Sequence, residues 1–316
     1  MRTAGRLLGF AAALVVVFVL SQAGARTLLP ADLASSWGTS TTSAAEDSHA
    51  NESDMHPTSA PTGQHSEDSH GEGPSPTTSV GPVRGLSEAQ DGYQLEALTA
   101  PDRIGQVGTL AFRLTGPDGQ PVTDYTTYHE KDLHLIVVRS DGSHFRHVHP
   151  TIDRAGTWSL PWRWTAAGSY RVFADFVPAA TGEVLTLTSN VYVAGDLTPA
   201  AMGNDSTKTT VAGYTVTLDG TPTAGKSAML RFTVTRDGEP VTTLQPYLGA
   251  AGHLVALRAG DLAYLHVHPV DEPAAESGPN IAFMAETPTP GRYLLYLNFQ
   301  VGNQVHTATF TTTATR

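Results

Sequence analysis

The sequence contains no cysteine, which excludes disulfide staples, thiolate metal sites and cysteine nucleophiles. Positive charge is scarce as well. Nineteen Lys and Arg against 30 Asp and Glu leave a net charge of −11 over 316 residues. A surface that must neutralise phosphates needs the opposite sign, so no nucleic-acid partner is expected. Between Arg26 and Arg84 there is no Lys or Arg, while Glu46, Asp47, Glu52, Asp54, Glu67, Asp68 and Glu72 all fall there. No Gly-rich phosphate loop, nucleophile elbow or paired-carboxylate motif stands out.

What is present begins with "MRTAGR", then the apolar "LLGFAAALVVVFVL", then the small residues of "SQAGA". This order of charge, apolar run and small residues is that of a secretory signal with a cut after Ala25. An uncleaved anchor is the alternative, with membrane contact through residues 7–25. Either way the protein is expected outside the cytoplasm, secreted or held at the cytoplasmic membrane by a single N-terminal helix. No cysteine follows the run, so lipid anchoring is not expected. Residues 1–30 are therefore read as signal or anchor, and 31–85 as a disordered linker too poor in apolar side chains to offset ordering entropy. The linker carries His49, His56, His65 and His70, each near a carboxylate. Such a tract is either a polar stalk or a loose collector of metal ions.

From Leu86 the text becomes strand-like. Short runs such as "TLAFRLTGPDGQPV", "DLHLIVV", "FRHVHP", "YRVFADFV" and "VLTLTSNVYV" are separated by Gly, Pro and Asp. After "GDLTPAAMGNDSTKT" the series restarts, with "AMLRFTVTRDGEPV", "HLVAL", "YLHVHP" and "YLLYLNFQ". Tyr128, His134, His147 and His149 match Tyr247, His253, His266 and His268 at one offset of 119 residues. Asp175-Phe176 matches Asn298-Phe299 after a small insertion. The chain is thus an internal duplication: repeat 1 over 86–195, a linker over 196–208 and repeat 2 over 209–316. Roughly seven short strands per unit predict an all-β fold of two tandem immunoglobulin-like β-sandwich domains. Tyr170, Phe173, Phe176, Tyr293, Tyr296 and Phe299 are assigned to core strands, and Trp158, Trp162 and Trp164 to packing or rim positions.

The histidines follow from a hairpin reading. With Asp141-Gly142 as a type I′ turn pair, His134 comes opposite His149, and His147 shares that face. In the second copy a turn around Gly260-Asp261 places His253 opposite His268, with His266 on the same face. Two differently written turns deliver the same three-imidazole cluster, a donor set suited to Cu(II), with Zn(II) the alternative. Three ligands leave a position open, for which His129, Glu130 and Asp175 are candidates in repeat 1. In repeat 2 Leu248-Gly249 and Asn298 stand there instead, so the two sites need not be equal. His144 projects to the opposite hairpin face, and His306 has no counterpart. Pro150 and Pro269 end their strand by removing a ladder donor.

The stretches "HEKDLHLIVVRSDGSHFRHVHP…GSYRVFADF" and "YLGAAGHLVALRAGDLAYLHVHP" resemble a poorly characterised family of exported or membrane-anchored bacterial proteins. That family occurs in company with heavy-metal-handling proteins. The resemblance covers both repeats and implies a fold similar to the small sandwiches of CopC-like and YtkA-like periplasmic proteins, and with it copper binding. The N-terminal His that CopC-like sites recruit has no equivalent here. The expected function is a non-enzymatic, extracytoplasmic metal-binding protein using His134, His147 and His149, and His253, His266 and His268. An envelope metal-handling protein is its expected partner. Two alternatives remain: a structural or interaction module of the envelope with metal-free histidines, and a zinc enzyme built on a three-His site.

Overall fold

The computed structural model describes residues 83–265, 267–270 and 278–316, all within one compact unit of the chain, Glu72–Arg316. The apolar N-terminus, residues 31–82 of the linker with their four histidines, and His266 lie outside the described residues. Among the described residues there is no helix, and so none long and apolar enough to cross a membrane.

Repeat 1 contributes β1 (Ala89–Gln90), β2 (Tyr93–Thr99), β3 (Gly108–Thr115), β4 (Leu133–Arg139), β5 (Arg146–Val148), β6 (Thr151–Ile152), β7 (Thr157–Trp162), β8 (Gly168–Phe176) and β9 (Leu185–Val193). They form two sheets, β1-β2-β3-β7-β6 and β5-β4-β8-β9. Repeat 2 contributes β10 (Lys208–Val211), β11 (Tyr214–Asp219), β12 (Lys226–Arg236), β13 (Glu239–Pro240), β14 (His253–Arg258), β15 (Tyr264–Leu265), β16 (Val267–Pro269), β17 (Asn280–Thr287), β18 (Gly291–Val301) and β19 (Gln304–Ala314). Its sheets are β10-β11-β12-β17-β16 and β15-β14-β18-β19, with β13 beside β12. Lettered in chain order from β2 and from β11, each repeat reads A-B-E-D facing C′-C-F-G, the immunoglobulin-like arrangement. The predicted all-β fold of two repeated sandwiches is the one observed.

Each sandwich has its own core. Leu110, Phe112, Leu135, Trp158, Trp162 and Tyr170 fill the first, and Phe232, Leu254, Phe283, Tyr293, Phe299 and Phe310 the second. A third core lies between the repeats. Ile136, Val138 and Phe173 pack there with Val255, Leu257, Leu262, Leu294 and Tyr296. Phe173 and Tyr296 therefore point away from the interior of their own sandwiches. The reason is written in β4, where all seven residues of Leu133–Arg139 are buried. A strand covered on one face alternates; a continuous apolar run needs cover on both. The outer face of one C′-C-F-G sheet supplies that cover for the other.

Both hairpins that carry the histidines depart from a two-residue turn and keep the expected register. Leu135 pairs with Val148 and Ala256 with Leu265; in repeat 1 this register leads on to His134 and His149, whereas in repeat 2 the pairing ends at Leu265 and His268 joins the other sheet. In repeat 1 the Gly142 N–H meets the Arg139 carbonyl at 2.8 Å, and Arg139 N–H meets the Ser143 carbonyl at 2.9 Å. The loop thus spans Ser140–Gly142. Gly142 takes the left-handed position with φ 80°, and His144 with φ 53° restores the register. Asp141 keeps an ordinary φ because its carboxylate accepts from Ser143 N–H at 3.1 Å and from the Arg139 guanidinium at 2.7 Å. In repeat 2 Arg258 N–H meets the Ala263 carbonyl at 2.8 Å across a longer loop, with Gly260 and Leu262 left-handed.

Candidate metal centre

The outer face of the C′-C-F-G sheet carries His134 from β4, with His147 and His149 from β5 and the residues after it. His134 is 1% exposed. Its Nδ1 lies 3.0 Å from His147 Nε2 and 3.2 Å from His149 Nε2, and the three ligand nitrogens all fall within 4.8 Å of one another. Nitrogens bound to one ion at about 2.0–2.1 Å sit roughly 3 Å apart at coordination angles near 90–110°, so the two short spacings match a shared ion. Among the described residues this is the one cluster of three or more His, Cys, Asp or Glu close enough to hold a metal.

Protonation states sharpen the picture. His134 Nε2 is 3.0 Å from the Tyr128 carbonyl; a carbonyl only accepts, so Nε2 carries the proton and Nδ1 is a bare lone pair. His147 Nδ1 lies 3.1 Å from Asn298 Oδ1. With the Asn298 amide oriented so that Nδ2 donates to Thr307 Oγ1 at 2.8 Å, its oxygen faces His147, and in that orientation the proton of the ring sits on Nδ1. His147 Nε2 is then also bare. Two lone pairs face each other across 3.0 Å, an arrangement a cation between them relieves. Burial, together with neighbouring imidazoles, disfavours the charged forms: it lowers His134 to about 4 and His149 to about 3. His147 is pushed well below its ordinary value by burial first and then by His134 and His149. Neutral imidazole is the form that binds metal.

His253 is not in a separate cluster. Its ring stacks on His134 at 5.3 Å between centroids, 9° from parallel, and lies 4.8 Å from the ring of His147. Burial lowers its pKa well below the ordinary value, with His147 and His134 adding to the effect. His268 is not in the three-His cluster: β16 has crossed to the other sheet, where His268 is opposite Met284 and exposed, within electrostatic reach of His129. Crossing between sheets is common to both copies, because β5 pairs with β4 while β6 pairs with β7. His266 lies outside the described residues, so of the second expected set the structure places His253 and His268, and does not bring them together as a cluster.

The candidate fourth ligands line the flank. His129, left-handed at φ 48°, lies edge-on to His253 with centroids 5.3 Å apart. Its centroid is 6.2 Å from that of His134. Asp175 is the register partner of His134 on β8. It accepts from Thr186 Oγ1 at 2.7 Å, and burial raises its pKa to about 6. Asp175, His129 and His253 border a cavity of about 30 Å³ with Tyr128 and Tyr264, room for about one water. Glu130 follows His129 with φ 62° and approaches Gly249, its counterpart in repeat 2. His144 is exposed beside Thr165, away from the cluster. Sequence reasoning missed the reach of Asn298 into the repeat 1 cluster. The signal available was the non-alternating "HLIVV" and "HLVAL", which require each sheet face to be covered.

A family model described as "Domain of unknown function (DUF8832)" matches residues 88–195 and again 209–316, together about two thirds of the chain. No curated protein matches it in sequence. Among solved structures, a DUF4426 family protein from Pseudomonas aeruginosa PAO1 aligns with 10% identity and a TM-score of 0.26, covering 34% of this chain and 96% of that one. The adhesin InvE of Yersinia pseudotuberculosis aligns with 13% identity and a TM-score of 0.23, covering 71% of this chain and 58% of that one. An Escherichia coli alpha-2-macroglobulin aligns with 14% identity and a TM-score of 0.25, covering 71% of this chain and 20% of that one.

Proposed function

The chain belongs to the DUF8832 family, whose domain of unknown function it carries twice, and from that premise we propose that it binds one divalent transition-metal ion through His134, His147 and His149. The observation that supports this reading is the convergence of three neutral imidazoles. Two of them have their other ring nitrogen held by a carbonyl oxygen, leaving bare nitrogens 3.0 Å apart. A hydrogen-bonded His network built only for stability would alternate donor and acceptor. Second-shell acceptors on the far nitrogens are the usual dress of metal-ligating His.

Imidazole-only coordination suits Cu(II), which has the highest intrinsic affinity of the series, and also Zn(II), which binds such sites less tightly. The role is binding rather than catalysis: the rings of His253 and His129 crowd the cluster, and the adjoining cavity of about 30 Å³ has room for a water but not for an organic substrate. The signal-like N-terminus supports a location outside the cytoplasm, where a His site of this kind would pass its ion to an envelope metal-handling partner.

Titrating Cu(II) and Zn(II) calorimetrically into the full chain and into His147→Ala tests the reading. One saturable tight event per chain, absent from the variant, is expected above the weak background of the N-terminal histidines. Identical isotherms for the two proteins would sink it.

A further inference from the structure

We propose that Asn298 of repeat 2 is a positioning residue for the three-His centre of repeat 1, so that the ion and the docking of the two repeats hold each other in place. The inference rests on the metal-binding reading and adds to it a residue 151 positions away from the ligand it orients. Asn298 lies on β18, is 3% exposed, and pairs in register with Thr307 on β19 and with His253 on β14. Its amide is clamped, Nδ2 to Thr307 Oγ1 at 2.8 Å and Oδ1 to His147 Nδ1 at 3.1 Å.

The chemistry turns on which nitrogen of His147 holds the single proton of a neutral ring. With Asn298 accepting, the proton sits on Nδ1, and Nε2 presents a lone pair towards the nitrogens of His134 and His149. Without that acceptor the proton is free to move to Nε2. There it meets His134 Nδ1, 3.0 Å away and already bare because Nε2–H of His134 is committed to the Tyr128 carbonyl. The two rings would then satisfy each other in a hydrogen bond, and the centre would close on itself. Asn298 prevents this closure.

Repeat 1 shows what else the same seat accepts. Asp175 occupies the equivalent position, paired in register with Thr186 as Asn298 is with Thr307. Thr186 Oγ1 donates to Asp175 Oδ1 at 2.7 Å. A carboxylate at 298 would keep both an acceptor for His147 and a partner for Thr307, whereas Ala keeps neither. Because binding linkage is reciprocal, anything in repeat 2 that tightens the ion is tightened by it.

The test uses the full chain as wild type, Asn298→Ala, Asn298→Asp and His147→Ala. Two readouts are taken: ring ¹⁵N shifts of His147 without metal, which report the tautomer, and Zn(II) affinity by competition with a chelator. The expected result is an Nδ1–H tautomer in wild type and an Nε2–H tautomer in Asn298→Ala. Zn(II) affinity should fall roughly 10- to 100-fold in Asn298→Ala, the usual loss for an outer-shell partner, and Asn298→Asp should restore both. An Asn298→Ala protein with the wild-type tautomer overturns the proposal, whatever its affinity, because lost packing would then explain any weakening. Unchanged affinity after a tautomer shift overturns it too. Wild type binding Zn(II) no more tightly than His147→Ala overturns the metal reading itself, and shows without any variant at 298.

Discussion

His134 and His253, at equivalent positions of the two repeats, stack face to face with ring planes 9° apart and centroids at 5.3 Å. Equivalent residues meet only where the axis relating two copies passes between them. His253 of the second expected set is therefore drawn to the first, and among the described residues one three-His cluster forms with His253 laid against it. One tight ion per chain is expected, where the sequence pattern taken repeat by repeat implies two. His134→Ala should abolish tight binding, while His268→Ala, at an exposed position across the other sheet, should leave it within a few-fold. Stoichiometry from metal analysis after dialysis decides between one ion and two.

Stability of the metal-free protein should depend on acid. His134 and His149 are lowered to about 4 and about 3, and His147 and His253 well below 6.5. An unfolded chain takes up protons at these rings as pH falls through 6.5, and the folded chain does not until much lower. Their stabilisation is complete above pH 6.5 and is lost as pH drops towards the folded values. His134 alone, 1% exposed, contributes on the order of 3 kcal/mol by this linkage. Asp175, raised to about 6 by burial, acts in the other direction as pH falls through the range from 6 to 3.8, but it is one group against four. The expected thermal midpoint is level above pH 7 and falls steeply between pH 6.5 and 4. A midpoint constant down to pH 4 would contradict the buried, neutral cluster.

Much of this was legible in the sequence because β-structure writes its constraints locally. The duplication fixed which elements recur. The HxH spacing put His147 and His149 on one face, and register carried His134 to the same face despite a wrong turn type at Asp141-Gly142. The turn was misread because Asp141 uses its side chain to cap the loop, which removes the need for a left-handed Asp. The partner of His147 was illegible for a different reason. Asn298 reaches it through packing between repeats, and no periodicity within one repeat encodes which sheet faces meet. The buried third core around Ile136, Val255 and Tyr296 was present as runs without alternation, yet such runs say only that both faces are covered, not by what.

Gly142 marks a close approach of the repeats. It holds φ 80°, and a Cβ placed there would lie 2.5 Å from Leu294 Cδ1 and 3.3 Å from the Tyr296 hydroxyl. Gly119, left-handed at 72°, has nothing within 4 Å of the same position. Gly142→Ala and Gly119→Ala therefore share the backbone penalty of about 1–2 kcal/mol, and Gly142→Ala adds overpacking of about 1–3 kcal/mol. Denaturant titration should show the larger loss at 142; equal losses would mean the repeats do not press together there.

The ring pair with the shortest centroid separation between the repeats, among the described residues, offers the final test. Phe145 and Tyr296 stack with centroids 4.0 Å apart and planes 5° from parallel, and the Tyr296 hydroxyl donates to the Gly142 carbonyl at 2.6 Å. A double-mutant cycle with Phe145→Ala and Tyr296→Ala removes the hydroxyl bond equally from both Tyr296 legs, so the cycle isolates the ring pair. Tyr296→Ala alone should lose about 3–5 kcal/mol as a large-to-small change in a packed core. The coupling should fall near 0.5–1.5 kcal/mol. Because the two rings belong to different repeats, a coupling of that size together with a single unfolding transition means that the repeats unfold as one cooperative unit. Zero coupling, with two separate unfolding transitions, would mean that each sandwich stands alone and that the His centre is assembled only part of the time.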